Sequence, residues 1–279
     1  MAACAATLAA RLPEGARVGV MVGQGMDGLP LKTAAVMSTA YMSTDDPGVL
    51  LEHIAAKYPG TPIVVFANSL SAGHFVRFAG TNPERCRKAG VVGGVMLCFG
   101  YSPEVTSRAG DATPFVPSFV LENWRAAARA NEAQVRGLEA SVDGFSFELL
   151  MAARTIADWE AATSPLYGFA SRGEMIAGVE TKEVVYRIRF PMVYIGSDDD
   201  PLTPATRLLD GGLAEHADAA VVCTRGGGHM GWWEGPPWNL RQAWIFQAVT
   251  DLLRELAAAG KMQKEEEQVT LGDVHLIGA

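Results

Sequence analysis

The chain has 279 residues, of which 49% are hydrophobic and 19% are charged. This composition supplies a hydrophobic core and excludes a chain that is disordered throughout. The 23 basic and 31 acidic residues give a net charge of −8. An acidic chain without a basic stripe is a poor candidate for binding nucleic acid or an anionic membrane. No apolar run reaches the ~18 residues that a membrane-spanning helix needs.

The four cysteines are scattered along the sequence, at Cys4, Cys86, Cys98 and Cys223. They form no C-x-x-C pair and no Cys/His cluster with the spacing of a zinc site. We therefore predict neither a disulfide framework nor a metal site, and we expect a reducing, cytoplasmic compartment. Residues 1–12 are rich in alanine and poor in acid, as in an organellar targeting sequence, but the stretch is short and poor in arginine, so we favour an amphipathic helix. Organellar targeting and peripheral membrane association stay open as alternatives.

Segments typical of strands and helices alternate in the first part of the chain. In chain order, the patterns predict a strand over residues 17–22, a helix over 47–58, a strand over 62–66, a helix over 71–79 and a strand within 89–99. Strands that alternate with helices indicate an α/β protein with a mostly parallel sheet and helices on both faces.

Helical patterns replace the strand patterns between residues 102 and 187, and we interpret this region as a helical cap inserted into the sheet domain. The further predicted elements are helices over 124–138 and 148–159, strands over 190–195 and 219–222, and a final helix over about 238–259. A charged tail, expected to fray, occupies residues 260–279. Because we find no repeat and no low-complexity linker, we predict a single domain over residues 1–279.

One serine lies where a predicted strand turns into a helix. Residues 67–73 read ANSLSAG between the two elements. Such a turn is the setting of a nucleophile elbow, which lifts a serine above the sheet and needs small residues two positions before and after it. Ala67 and Ser71 are small, although glycines are usual there. The simpler interpretation is that Ser69 only caps the helix.

An aspartate and a histidine follow two later strands. Residues 197–201 read SDDDP after one strand, and residues 226–231 read GGGHMG after the next. The order Ser69, Asp200, His229 is that of the α/β hydrolases. All three follow strands, so we expect them at the carboxyl edge of the sheet, where open α/β folds bind ligands. A histidine would take the serine proton, and a carboxylate would orient the histidine. The backbone N–H of Leu70 would be one donor to the oxyanion.

A glycine-rich segment offers a competing interpretation. Residues 23–28 read GQGMDG, which matches the G-x-G-x-x-G pattern of dinucleotide-binding proteins. Leu29-Pro30 follows, so no helix begins where a pyrophosphate would need a helix N-terminus. We therefore favour a glycine-rich loop and predict no cofactor. The other histidines show no partner pattern and are expected in the core or on the surface: His53, His74, His216 and His275.

These motifs resemble those of the α/β-hydrolase domain proteins of the embryogenesis-associated type, which include yeast medium-chain fatty-acid ethyl ester synthase/esterases. The resemblance covers roughly residues 17–244. The segments that carry it are residues 24–33 (QGMDGLPLKT), His53-Ile54 with Tyr58-Pro59, the elbow at 67–73, residues 155–159 (TIADW) with Thr163 and Gly168-Phe169, residues 199–204 (DDPLTP) and residues 227–235 (GGHMGWWEG).

The resemblance implies an α/β-hydrolase fold and a serine hydrolase that cleaves carboxylic esters of fatty acids or related lipids, with acyl transfer to alcohols as a related activity. It implies that Ser69 is the nucleophile, Asp200 the acid and His229 the base. Asp199 is the alternative acid, because three consecutive aspartates leave the register open. The implied partner is a small ester or lipid. Neither the acyl chain length nor the oligomeric state can be read from the sequence.

Two departures from the family pattern favour a second function. The opening strands, and the loop that gives the second oxyanion donor, are expected to be missing from this sequence. Losing one such donor costs about 10²–10³-fold in rate, and missing strands would leave an open sheet edge. The elbow glycines are also replaced. The alternative is therefore a catalytically weak or inactive hydrolase-fold protein that serves as a binding or partner module.

Overall fold

Four parallel strands form the sheet in the described part of the chain. The computed structural model describes residues 10–21, 45–235 and 244–272, the last ten of them as backbone only. The strands are β1 (Ile63–Asn68), β2 (Val91–Leu97), β3 (Met192–Ser197) and β4 (Ala219–Thr224), and they lie side by side in that order. Each neighbouring pair is parallel, so all four carboxyl ends meet at one edge. The predicted parallel sheet is confirmed.

Eleven α-helices flank the sheet or connect its strands within the described residues. They are α1 (Asp46–Lys57), α2 (Ser69–Thr81), α3 (Pro83–Ala89), α4 (Pro103–Ala112), α5 (Val116–Ala130), α6 (Glu132–Gly137), α7 (Phe147–Ala152), α8 (Ile156–Thr163), α9 (Arg172–Gly178), α10 (Thr206–Asp210) and α11 (Ile245–Gly272). Short 3₁₀ helices lie at Leu138–Ala140, Ser164–Tyr167, Val185–Arg187 and Leu213–Glu215. No helix in the described ranges is both long and apolar enough to cross a membrane.

The two faces of the sheet are covered by different helices. Successive residues of a strand point to opposite faces. In β2, Val95 and Leu97 belong to a buried cluster with residues of α11, such as Val249. Met96 lies in the other cluster, together with Phe75 of α2. This two-sided burial explains why β2 is an almost continuous apolar run.

The region between β2 and β3 is helical and has a core of its own, which includes Leu121, Leu150 and Trp159. Asp111 ties two of its helices together, because its carboxylate accepts the N–H groups of Ile156 and Ala157 at the start of α8. These helices occupy the part of the sequence for which we predict the cap insertion over residues 102–187. The division into a sheet domain and a cap stays a prediction.

Two of the long helices expected in this region are interrupted. The predicted helix over residues 124–138 ends at Ala130, and α6 starts a new helix after Asn131, whose backbone leaves the helical conformation. The predicted helix over 148–159 is divided at Ala153. Thr155 then starts α8 with a capping box that it forms with Asp158. A new N-terminal cap within an apolar pattern divides the helix that the pattern alone predicts.

The predictions for both ends of the chain need correction. The strand expected over residues 17–22 is wrong for residues 17–21, which form no strand, and Val18 and Val20 are exposed. The Arg17 guanidinium instead stacks on the Tyr58 ring at 4.4 Å. Residues 10–12 form a turn rather than the end of a helix, and the rest of that predicted helix lies outside the described residues. Residues 261–268, expected to fray, continue α11, which runs to Gly272.

We predict that Gly80→Ala destabilises the fold. A Cβ atom at Gly80 would lie 2.2 Å from the backbone oxygen of Val184, so α2 would have to move away from the adjacent 3₁₀ helix. We expect the free energy of unfolding, measured in urea, to fall by about 1–3 kcal/mol. Gly137→Ala is the control, because nothing lies within 4 Å of a Cβ atom there. It should leave the stability unchanged or raise it by up to about 1 kcal/mol. Equal stability of the two variants would contradict this packing.

Candidate active site

Ser69 lies at an abrupt turn from strand to helix. β1 ends at Asn68 and α2 begins at Ser69, with no residue between them. The φ of Ser69 is +45°, in the left-handed region that residues other than glycine rarely occupy. This is the strained geometry of a nucleophile elbow. The turn forms although Ala67 and Ser71 stand where glycines are usual.

His229 is carried by a tightly folded loop after β4. The amide groups of Gly231 and Trp232 both donate to the carbonyl oxygen of Gly227, at 3.0 and 3.2 Å. Trp232 is buried, and its indole N–H donates to Thr224 Oγ1 at 2.9 Å. The φ of Gly227 is +144°, and a Cβ atom there would lie 2.4 Å from the indole nitrogen of Trp232. Glycine is therefore required at this position, and the loop has one compact shape.

The structure brings Ser69, His229 and Asp200 into one hydrogen-bonded chain. Ser69 Oγ lies 2.7 Å from His229 Nε2. His229 Nδ1 lies 2.9 Å from Asp200 Oδ2 and 3.1 Å from Asp200 Oδ1. Ser69 follows β1 and His229 follows β4, which are the two outer strands of the described sheet. The loop with His229 therefore reaches across the carboxyl edge to meet Ser69.

The environment of Asp200 keeps its carboxyl group ionised. The side chain has no exposed surface, and burial alone would raise its pKa. The hydrogen bond and charge of His229 and the amide groups of Thr203 and Leu202 oppose that effect, and the pKa falls to about 2. An ionised carboxylate accepts hydrogen bonds only. Nδ1 of His229 must therefore donate to Asp200, which leaves Nε2 free to accept the proton of Ser69.

Asp199, the alternative acid, does not contact His229. Its Oδ1 atom accepts the backbone N–H of Gly228 at 2.8 Å. Asp198, one residue earlier, accepts the N–H of Gly226 at 2.9 Å. Each of the three consecutive aspartates thus accepts a hydrogen bond from a different group, and Asp200 is the one that is bonded to the imidazole.

Leu70, predicted to donate to an oxyanion, is the second residue of α2. The first backbone N–H groups of a helix have no acceptor within the helix, and a helix N-terminus favours negative charge. The Leu70 N–H is therefore in a suitable position along the chain for this task. Its role in a reaction stays a prediction.

Sequence reasoning missed Cys98. Cys98 directly follows β2, with a φ of +52°. Its Sγ atom, a carboxylate oxygen of Asp200 and a ring nitrogen of His229 all lie within 4.8 Å of one another. Burial, reinforced by the charge of Asp200, raises the pKa of this thiol to about 12. The rule that ligand sites lie after parallel strands, applied to β2, would have found it.

Cys98, Asp200 and His229 are of the residue types that bind transition metals. In this structure the atoms of Asp200 and His229 that would coordinate a metal are hydrogen-bonded to each other. That the protein has no metal site stays a prediction.

Of the other histidines and the glycine-rich segment, His53, His74 and His216 lie in the described part of the protein. His53 is exposed, and His216 packs against Tyr186. Burial lowers the pKa of His74 to about 4, so that its ring is neutral at neutral pH. The glycine-rich residues 23–28 and His275 lie outside the described residues.

Known proteins resemble this chain in both sequence and fold. It is 26% identical over 225 residues to abhydrolase domain-containing protein 2 of Drosophila melanogaster, an alignment that covers 74% of this chain and 54% of that protein. It is 22% identical over 272 residues to embryogenesis-associated protein EMB8 of Picea glauca, covering 92% of this chain and 55% of that protein. The chain thus spans about half the length of these two curated relatives. No family model matches the sequence.

Among solved structures, a thermophilic esterase from Thermogutta terrifontis superposes with a TM-score of 0.50 and 16% identity. The superposition covers 91% of this chain and 85% of the esterase chain. A parallel sheet between helices, with a sharp strand–serine–helix turn, is the architecture of an α/β hydrolase. The chain is similar in sequence to the two curated relatives and has the α/β-hydrolase fold, so the predicted fold is confirmed.

We predict that Asp200→Asn changes how the stability of the protein depends on acid. The pKa of Asp200 is 3.8 when the group is free and about 2 in the folded protein. The ionised group therefore stabilises the fold above about pH 4, and this contribution is lost as the pH falls through 2. In urea titrations, the stability difference between the wild type and Asp200→Asn should shrink by about 2 kcal/mol between about pH 5 and pH 2.

The control for this measurement is Asp143→Asn, which replaces an exposed aspartate. Its stability difference from the wild type should change little with pH. A constant difference between the wild type and Asp200→Asn over the same range would show that Asp200 is not ionised against His229 as described.

Proposed function

We propose that the protein is a serine hydrolase that cleaves carboxylic esters through an acyl-enzyme on Ser69. The observation that carries the proposal is the hydrogen-bonded chain from Ser69 Oγ through His229 to the buried Asp200, with contacts of 2.7 and 2.9 Å. A serine hydroxyl is a weak nucleophile until an adjacent base removes its proton. Here Nε2 of His229 is available as that base, because the ionised Asp200 holds the Nδ1 proton.

In the proposed reaction, Ser69 Oγ attacks the ester carbonyl and its proton moves to His229 Nε2. Asp200 stabilises the imidazolium that forms. The backbone N–H of Leu70 donates to the negative oxygen of the tetrahedral intermediate. His229 then gives its proton to the departing alcohol, which leaves an acyl group on Ser69. A water molecule, deprotonated by His229, releases the acid and restores Ser69. An alcohol in place of water would give acyl transfer.

Exposed aromatic side chains support a fatty-acyl or related lipid ester as the substrate. Phe115 is 87% exposed and Phe119 is 72% exposed, one turn apart at the start of α5. This end of α5 lies beside the loop that carries Asp200, because the Thr113 hydroxyl donates to the backbone oxygen of Pro201 at 3.4 Å. Apolar groups of this size gain free energy when an acyl chain covers them. The similarity to an esterase structure supports ester chemistry in general.

The alternative of an inactive binding module rests on two expectations, the replaced elbow glycines and the absence of the loop that gives the second oxyanion donor. The elbow nevertheless forms, with Ser69 in the strained conformation and in contact with His229. This geometry favours an enzyme over the binding module.

We predict that ester hydrolysis depends on Ser69. With p-nitrophenyl octanoate as substrate, Ser69→Ala should lower kcat/KM by at least ~10³-fold, and Asp200→Asn by ~10²–10⁴-fold. Ser141→Ala is the matched control, because Ser141 is exposed and far from Ser69 in sequence. Its kcat/KM should stay within about 2-fold of the wild-type value. The rates of the purified wild type and variants are measured from the absorbance of the released p-nitrophenolate.

Hydrolysis that persists in Ser69→Ala would contradict the proposed nucleophile. The p-nitrophenyl acetate assay, run in parallel, tests the substrate class. Faster hydrolysis of acetate than of octanoate would contradict the fatty-acyl part of the proposal while leaving the serine chemistry intact.

A further inference from the structure

The end of β3 contacts the loop that carries His229 through four consecutive residues. The Ser197 hydroxyl donates to the backbone oxygen of Gly228 at 3.1 Å. Asp198 accepts the N–H of Gly226 at 2.9 Å, and Asp199 accepts the N–H of Gly228 at 2.8 Å. Asp200 accepts from His229 Nδ1 at 2.9 Å. Only the last of these contacts belongs to the proposed triad. The other three act on the backbone of the segment that precedes His229.

That segment needs external support. Gly226, Gly227 and Gly228 all have positive φ, at 71°, 144° and 57°. Glycine reaches these conformations without strain, but it also loses more conformational freedom on folding than any other residue. Three such residues in a row define the direction in which His229 leaves the sheet. A contact with the last of them, Gly228, therefore has the most direct influence on where the imidazole lies.

Asp199 makes the shortest of these backbone contacts, at 2.8 Å, and it makes it to the residue next to His229. Hydrogen bonds between a carboxylate and a backbone N–H are charge-assisted and stronger than those between neutral groups. The Gly228 amide, followed by the Ser197 hydroxyl, lowers the pKa of Asp199, so the carboxylate is ionised at neutral pH. Asp199 itself is exposed. Replacing it leaves no cavity in the core, and its effect on the loop can be separated from an effect on folding.

We propose that Asp199 is a positioning residue, which holds the Gly228 amide and thereby keeps His229 within hydrogen-bonding distance of both Ser69 and Asp200. The inference rests on the proposed function of Ser69. The Asp199 carboxylate is hydrogen-bonded to the Gly228 backbone, whereas the imidazole is hydrogen-bonded to Asp200. The effect of Asp199 on the reaction is therefore one of geometry, and a misplacement of about 1 Å costs up to about 10²-fold in rate.

Three variants test the inference. Asp199→Ala removes the acceptor, and we expect kcat for p-nitrophenyl octanoate to fall by about 10- to 100-fold with KM within about 2-fold. Asp199→Asn keeps an oxygen that can accept the Gly228 amide but lacks the charge, so it should recover part of the lost kcat. Asp198→Ala removes the contact with Gly226, three residues before His229, and should lose less activity than Asp199→Ala.

Hydrogen–deuterium exchange of the loop peptide gives a readout that does not depend on activity. Exchange at the Gly228 amide should be faster in Asp199→Ala and intermediate in Asp199→Asn, while the thermal unfolding midpoint changes little. Full activity of Asp199→Ala, with unchanged exchange at Gly228, would overturn the inference. So would an Asp199→Asn variant that is as slow as Asp199→Ala, because an acceptor oxygen for the Gly228 amide would then contribute nothing.

The failures of the two proposals are distinguishable. A wild type whose ester hydrolysis is equal to that of Ser69→Ala overturns the proposed function, and the inference about Asp199 with it. A wild type that is active through Ser69, with Asp199→Ala equally active, overturns the inference alone.

Discussion

The hydrogen bond between His229 and Asp200 is the interaction on which the site depends. It joins the loops after β4 and β3, fixes which nitrogen of the imidazole carries the proton, and leaves the other nitrogen 2.7 Å from Ser69. The parallel sheet makes this contact possible, because all strands end at one edge. The burial of Asp200 strengthens it, since the carboxylate has no exposed surface and is held by backbone amides as well.

Strained residues and unstrained glycines with positive φ both occur at the carboxyl edge of the sheet. Ser69, Cys98 and Met230 adopt positive φ although they are not glycine. Such conformations persist only where the surrounding structure enforces them, and they cluster at functional sites. The loop before His229 shows the opposite case, because its glycines adopt such conformations freely. The acceptors at the end of β3 supply the constraint that these glycines lack.

Apolar runs and turn residues made much of the sheet predictable, together with the positions of Ser69, Asp200 and His229 after its strands. Asp200 was the predicted acid, but the sequence did not exclude Asp199, because the choice depends on the turn geometry that directs each carboxylate. Cys98 lies close to Asp200 and His229 because it follows β2, which is next to β3 in the sheet but far from it in sequence. The run over residues 17–21 has the composition of a strand, but those residues pair with no strand in the described ranges, and Arg17 packs on Tyr58 instead. Propensity does not supply a pairing partner.

The most direct test of the account is labelling of the purified protein with a fluorophosphonate probe, followed by mapping of the adduct by mass spectrometry. Such a probe reacts with a serine that a neighbouring base activates. The account predicts one adduct, on Ser69, that is absent from His229→Ala. A folded wild type that is not labelled, or an adduct on Ser69 that forms equally well in His229→Ala, would contradict the claim that His229 activates Ser69.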